Sequence, residues 1–367
     1  MTGKAWDGKA PAGPVLGTMN WGFEAQVSQE VAGEMLAEYV KVCEEMGYDI
    51  ILDTARVYQL GQTEEIIGNL LQENDKPWSG KKIQVHTKAS PPVGPLSKSG
   101  VREQLEASLK ALKMDCVDVY YLHQPDMRVD IEETLEVCNE LHKEGKFKEL
   151  GVSVFAAWDV VRCVTLCREK GWVEPTVYQG LYNPISRGLD PELFPAVRSY
   201  KLRVYIFNPL AGGLLTGRYA SVEDIKGATE GRFSSEFDFV PKSQEHSFKG
   251  YGAKAYQGLY GRDEMFSALQ LLVDECGRDN MVEKTISWLR FCSYLSSPDG
   301  IIFGASKTAH VKSNLIAFSE GKPLSEKEQA AFATAARLSK PFQPGYTRGY
   351  GSLPGTEDII MKKFKDN

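Results

Sequence analysis

The sequence predicts an α/β protein, a single closed (β/α)8 barrel of parallel strands, and three observations lead there. Short β-branched or apolar runs alternate with amphipathic stretches eight times along the chain. A helix that crosses between strands buries one face of a sheet, so this alternation argues for parallel strands. No GxGxxG fingerprint follows the early runs, which disfavours an open doubly wound sheet. No linker or composition break divides the 367 residues, and eight such units in one domain point to closure into a barrel.

The units run in order. Residues 15–17 and 31–46 open the pattern, and residues 48–53 (YDIILD) precede a helix over 63–74. That helix starts Thr-Glu-Glu, which suits an N-terminus where unpaired N–H groups meet a side-chain oxygen and acidic residues. Strand–helix pairs follow at 82–88 with 100–112, 117–122 with 131–143, 148–153 with 158–170, and 176–179 with 191–200. The strand at 203–207 leads into a long Gly-rich connection, with helix resuming at 263–275. The strand at 301–303 pairs with a helix at 310–318, and a helix at 326–338 lies outside the repeat. Residues 1–340 are therefore expected to form the TIM-type barrel. Residues 341–367 form a tail rich in Gly, Pro and Tyr, either folded over the barrel mouth or loosely ordered.

Composition removes several classes of function. The hydrophobic content of 42% is ordinary for a chain with a sizeable core. A net charge of −6, spread along the chain, supplies no basic face for nucleic acid. No apolar run approaches the roughly 18 residues of a membrane span, and the first residues lack the apolar stretch of a secretory signal. Seven cysteines are scattered without a CxxC pair. Free thiols in a reducing cytosol fit this better than a disulfide framework or a metal site. The expectation is a cytoplasmic protein without metal, nucleic-acid or membrane partners, working as a monomer or homodimer on a small molecule.

In such barrels the site lies at the C-terminal ends of the strands. The second strand ends at Asp53, in DTARVY, with Tyr58 in the loop beyond; the third ends at Lys88, in HTKAS; the fourth ends at His123, in YLHQPD. Taken singly, each has a bland explanation: a loop cap, a rim phenol, a solvated strand end, a core histidine. Together, at successive strand ends, they resemble the catalytic tetrad of the aldo-keto reductases. LDTARVYQLGQTEEIIG, GKFKELGVS, TVYQGLYNPISR, FNPLAGGLLTGRY and FGASKTAHVKSNL are similar to that superfamily as well. Within it, the chain most resembles the aflatoxin aldehyde reductase group, from about residue 14 to 340.

The resemblance implies NADPH-dependent reduction of aldehydes or ketones. Hydride transfer to a carbonyl carbon leaves an alkoxide, which an acid must protonate; Tyr58 is that candidate. Lys88 would lower the phenol from its usual pKa of about 10, Asp53 would hold the ammonium, and His123 would donate a hydrogen bond to the carbonyl oxygen. His86, His142 and His246 have no such setting and read as structural or exposed. By the same resemblance, Thr18 lies among the cofactor positions, Ser153 and Gln179 meet the nicotinamide carboxamide, and Phe207 stacks on the ring. Asn208, Leu210, Gly212, Leu214 and Gly217 line the pyrophosphate, where glycine allows close backbone approach. Ser306, Lys307 and His310 grip the 2′-phosphate, helped by a helix start, and Asn314 meets adenine. Met19 and Trp21 form part of the substrate wall, Trp21 reading equally well as barrel-end packing. One departure stands out: the family pattern is Ser-Asn after the fifth strand, and here it is Ser153-Val154. Two other functions remain open at this level, a cofactor-binding regulatory subunit and an enzyme working mainly as an alcohol dehydrogenase.

Overall fold

The computed structural model describes residues 9–23, 25–241, 243 and 250–348. Eight parallel strands close into a barrel in the order β1 to β8. The units are β1 (Gly13–Gly17) with α1 (Gln29–Met46), β2 (Ile50–Asp53) with α2 (Gln62–Leu71), β3 (Ile83–Ala89) with α3 (Lys98–Leu112), and β4 (Val117–Leu122) with α4 (Ile131–Lys143). They continue with β5 (Phe147–Ser153) and α5 (Ala157–Lys170), β6 (Pro175–Leu181) and α6 (Leu193–Ser199), and β7 (Arg203–Phe207). The connection after β7 carries α7 (Val222–Lys226), α8 (Gly252–Tyr260), α9 (Asp263–Cys276) and α10 (Met281–Phe291) before β8 (Gly300–Gly304), α11 (Thr308–Glu320) and α12 (Glu326–Ser339).

Local chemistry sets the helix ends. Ser28 caps α1 and Ser97 caps α3, each accepting from a backbone N–H of the first turn. Ser325 and Glu328 form a reciprocal capping box on α12. Two expectations shift. The helix at 263–275 is present as α9, but it packs on α12, while α10 packs beside α11 and completes the ring between β7 and β8. The sequence reading passed over α10, in which Thr285, Ser287 and Arg290 are buried along with Ile286, Trp288 and Leu289.

The barrel is filled, not hollow. Val15, Ile51, Val119, Tyr121, Val177, Tyr205 and Ile302 form an inner apolar cluster separate from the larger core between strands and helices. Glycine makes room for the two tyrosines. A Cβ on Gly151 would stand 2.3 Å from the Tyr121 ring, and one on Gly300 would stand 2.4 Å from Tyr205. His86 sits beside both rings, buried. Arg203 and Glu149 are joined by two hydrogen bonds of 2.9 and 3.0 Å near the start of β7 and β5.

Part of the tail is described. Arg187 N donates to Gln343 Oε1 at 2.7 Å, Ala157 N donates to Tyr346 Oη, and Arg348 N donates to Val154 O at 3.1 Å. These contacts lay residues 343–348 along the loops after β5 and β6. His246 and the last residues of the 341–367 tail lie outside the described residues. All seven cysteines are free, and six are buried. Among the described residues no group of three or more His, Cys, Asp or Glu side chains could hold a metal, and no helix is long and apolar enough to cross a membrane.

Candidate active site at the C-terminal mouth

Asp53 ends β2 and Lys88 lies near the end of β3, one strand over. Both are buried, and Lys88 Nζ donates to Asp53 Oδ2 at 2.8 Å and to Thr54 O at 2.6 Å. Asp53 Oδ1 accepts from Gln179 Nε2 at 2.8 Å, while its backbone carbonyl accepts from Thr18 Oγ1 at 2.9 Å. A buried carboxylate thus has a cation on one oxygen and an amide on the other, which is what a charge needs to stay ionised out of water. Burial lowers the Lys88 pKa, and Asp53 opposes that shift.

Tyr58 stands above this pair. The chain brings it there by a tight turn in which Gln59 and Leu60 both adopt left-handed conformations (φ 47° and 52°). Lys88 Nζ lies 5.4 Å from the Tyr58 ring centroid, and the His123 ring meets Tyr58 edge-on at 5.8 Å. The expected lowering of the Tyr58 pKa by Lys88 is not what dominates. Burial first, then the Asp53 charge, push the phenol well above its ordinary value, and Arg232 and Arg348 pull it back. Tyr58 is therefore a neutral phenol at physiological pH.

His123 bonds through Nδ1 to Ser90 Oγ at 2.6 Å. Burial, then the Lys88 charge, hold its pKa well below the usual imidazole range, so the ring is neutral. In the tautomer in which Ser90 donates to Nδ1, the single ring proton is on Nε2. Ser90 is fixed in turn, its N–H donating to Gln104 Oε1 at 2.8 Å.

The other strand ends form a second group. Ser153 and Gln179 face one another in register across β5 and β6. Val154 follows in a left-handed conformation (φ 52°), with its N–H on Gln179 O and its carbonyl under Arg348 N. Such a conformation disfavours a branched side chain and is one asparagine tolerates. Phe207 packs at the edge of the inner barrel cluster.

After β7 the chain turns tightly: Asn208 (φ 63°) accepts from Gly212 N at 2.7 Å and donates to Tyr260 Oη at 2.9 Å. The Asn208 side chain and the buried Leu214 side chain are thus occupied in building the turn. Leu210, partly buried, packs on the main core. Gly212 and Gly213 are both at positive φ, their N–H groups donating to Asn208 Oδ1 and Leu210 O, while Gly217 O accepts from the Arg278 guanidinium.

At the start of α11, Lys307 Nζ lies 2.8 and 3.0 Å from the two Glu230 oxygens, and Ser306 Oγ is 3.4 Å from His310 Nδ1. Asn314 donates to His310 O at 2.8 Å, and its buried Oδ1 has no partner among the described residues. Met19 is half-buried, whereas Trp21 is buried within the main core.

Three further residues bear on the site that the strand-end reading did not name. Ser90 directly follows β3 and was within reach of a strand-end reading. Arg232 comes from the long connection after β7, Arg348 from the tail; nothing local in either stretch marks them. Arg232 lies over the Phe237 ring at 4.6 Å and the Tyr256 ring at 5.5 Å, and its buried Nη1 has no hydrogen-bond partner among the described residues.

The arrangement is a phenol and an imidazole over a buried ion pair at the barrel mouth, with a lysine–glutamate pair at the start of α11. Known proteins have similar sequences. Residues 15–337 match the model of the Aldo/keto reductase family. The chain is 40% identical over 352 residues to Aldo-keto reductase family 7 member A3 of Homo sapiens, covering 93% of this chain and 98% of that one. It is 38% identical to Aflatoxin B1 aldehyde reductase member 4 of Homo sapiens, over 92% of this chain and 98% of the relative. It is also 32% identical to Oxidoreductase sirO of Leptosphaeria maculans, over 86% and 92%. With the closed barrel, the grouping at its mouth and these matches in agreement, the chain is an oxidoreductase that belongs to the aldo/keto reductase family.

Proposed function

We propose that this enzyme reduces aldehydes or ketones to alcohols with NADPH, and that Tyr58 donates the proton. The observation that supports this most is the Lys88–Asp53 ion pair buried beneath Tyr58, with His123 edge-on beside it. A nicotinamide adenine dinucleotide fits the residues present. The unpaired buried Oδ1 of Asn314 suits an amino group such as that of adenine. Ser306, Lys307 and His310 form a polar cluster suited to a phosphate, and Ser153 and Gln179 suit a carboxamide. When bound, the reduced nicotinamide supplies the hydride.

The chain's own groups do the rest. His123 Nε2–H orients the carbonyl oxygen and stabilises the charge that develops there. Tyr58 Oη–H gives its proton to that oxygen as the alcohol forms. The ammonium of Lys88 faces the phenolate left behind, and Asp53 keeps that ammonium charged in a buried position. Burial holds Tyr58 protonated, the form that reduction requires. Arg232 and Arg348 add positive charge near Tyr58, and a buried guanidinium nitrogen without a partner favours a carbonyl compound that also carries a negative group.

The test is loss of NADPH absorbance with 4-nitrobenzaldehyde, followed by 4-carboxybenzaldehyde against benzaldehyde. Turnover with a several-fold higher kcat/KM for the carboxylated aldehyde is expected. NADPH binding without consumption of any aldehyde would assign the chain to a regulatory, cofactor-sensing role instead.

A further inference from the structure

We propose that Glu230 is an internal anion that competes with the cofactor's 2′-phosphate for Lys307, and so sets how strongly the enzyme prefers NADPH over NADH. This rests on the proposal above that Lys307 meets that phosphate. Both Glu230 oxygens lie on the Lys307 ammonium, at 2.8 and 3.0 Å, and Arg218 Nη1 stands 3.7 Å from one of them. Lys307, Arg218 and His310 all hold the Glu230 carboxyl below its ordinary range. The carboxylate thus sits among the positive and polar groups a phosphate would seek.

The backbone holds it there. Tyr219 Oη donates to Glu230 O at 3.4 Å, and Gly231 turns at positive φ with its carbonyl accepting from Gln26 Nε2 at 3.2 Å. On the far side, a Cβ on Gly304 would stand 3.5 Å from Arg232 Nη2. Residues 230–232 therefore form a strap from the connection after β7 to the ends of β8 and β1. A 2′-phosphate reaching Lys307 must separate this pair and then lie close to a second anion. A cofactor with a free 2′-hydroxyl needs neither change. The pair is exposed, so its separation is worth up to about fivefold in affinity, and repulsion between carboxylate and phosphate adds to that.

The test measures dissociation constants for NADPH and NADH by quenching of tryptophan fluorescence at low salt. Wild type, Glu230→Gln, Lys307→Ala and the double variant are compared. Glu230→Gln is expected to tighten NADPH about three- to tenfold and leave NADH within about twofold, and in the Lys307→Ala background only the smaller part due to carboxylate–phosphate repulsion remains. If Lys307→Ala weakens NADPH selectively but Glu230→Gln leaves NADPH unchanged, the phosphate position stands and competition by Glu230 is overturned. If Glu230→Gln instead weakens NADPH, Glu230 is a clasp over bound cofactor and not a competitor. Equal effects of Lys307→Ala on both cofactors would remove the phosphate from Lys307, and the proposal with it.

Discussion

Replacing Lys88 by methionine probes the centre of the site. Methionine fills much of the volume of the lysine stem, so the packing change is small; what disappears is the charge. Asp53 Oδ2 then loses its ammonium partner at 2.8 Å, and only Gln179 Nε2 and the surrounding dipoles remain. Lys88 is fully buried and the Asp53 side chain is 4% exposed, so water cannot replace the lost cation. Removing one partner of such a pair costs about 3–5 kcal/mol. In a chain of 367 residues that corresponds to a fall in Tm of roughly 4–7 °C.

The loss should depend on pH in a definite direction. An uncompensated buried carboxylate has a folded-state pKa raised above its unfolded value near 3.9. The folded variant then binds a proton more tightly than the unfolded chain, so acid restores stability and rising pH removes it. Urea denaturation of Lys88→Met should show the deficit greatest near pH 8 and clearly smaller near pH 5, and Asp53→Asn added to Lys88→Met should recover much of it. A loss below about 1 kcal/mol, or one identical at the two pH values, would refute the idea that Lys88 and Asp53 form an interdependent buried pair.

Other outcomes follow from particular residues. Val154→Asn relieves a left-handed conformation costing about 1–2 kcal/mol but gives up buried valine surface worth about 1.5–3 kcal/mol. Thermal denaturation should place it within about 2 kcal/mol of wild type, with cofactor binding unchanged or tighter; a larger loss would mean that packing, not backbone strain, governs the position. Burial, with help from Lys88 and Arg203, lowers the His86 pKa to about 3. Its contribution to stability is therefore intact above pH 6.5 and lost as pH falls toward 3, reaching about 2 kcal/mol at pH 5. His86→Phe should flatten the acid limb of the stability curve, and an unchanged limb would contradict this.

The strand ends were legible because a parallel barrel converts sequence order into position. Once eight alternating units were recognised, Asp53, Lys88 and His123 had to share one mouth, and Tyr58 followed from its loop. What stayed hidden depends on long-range placement. Arg232 and Arg348 bring positive charge toward Tyr58 from a connection and a tail whose paths no local periodicity sets. Glu230 meets Lys307 across 77 residues. The helix α10 follows directly on α9 through a three-residue turn at 278–280, so the two read as one stretch. The Val154 departure was visible as a residue type, but its left-handed backbone was not.

The central claim is that Tyr58 protonates the carbonyl oxygen. The direct measurement is single-turnover NADPH oxidation by Tyr58→Phe with saturating 4-nitrobenzaldehyde, alongside NADPH binding to the same variant. The phenylalanine keeps the ring that Lys88 and His123 face and removes only the hydroxyl. The predicted result is a rate at least about a hundredfold lower with NADPH affinity unchanged, as expected for loss of a general acid. A variant that turns over near the wild-type rate would place the proton donor elsewhere in the site.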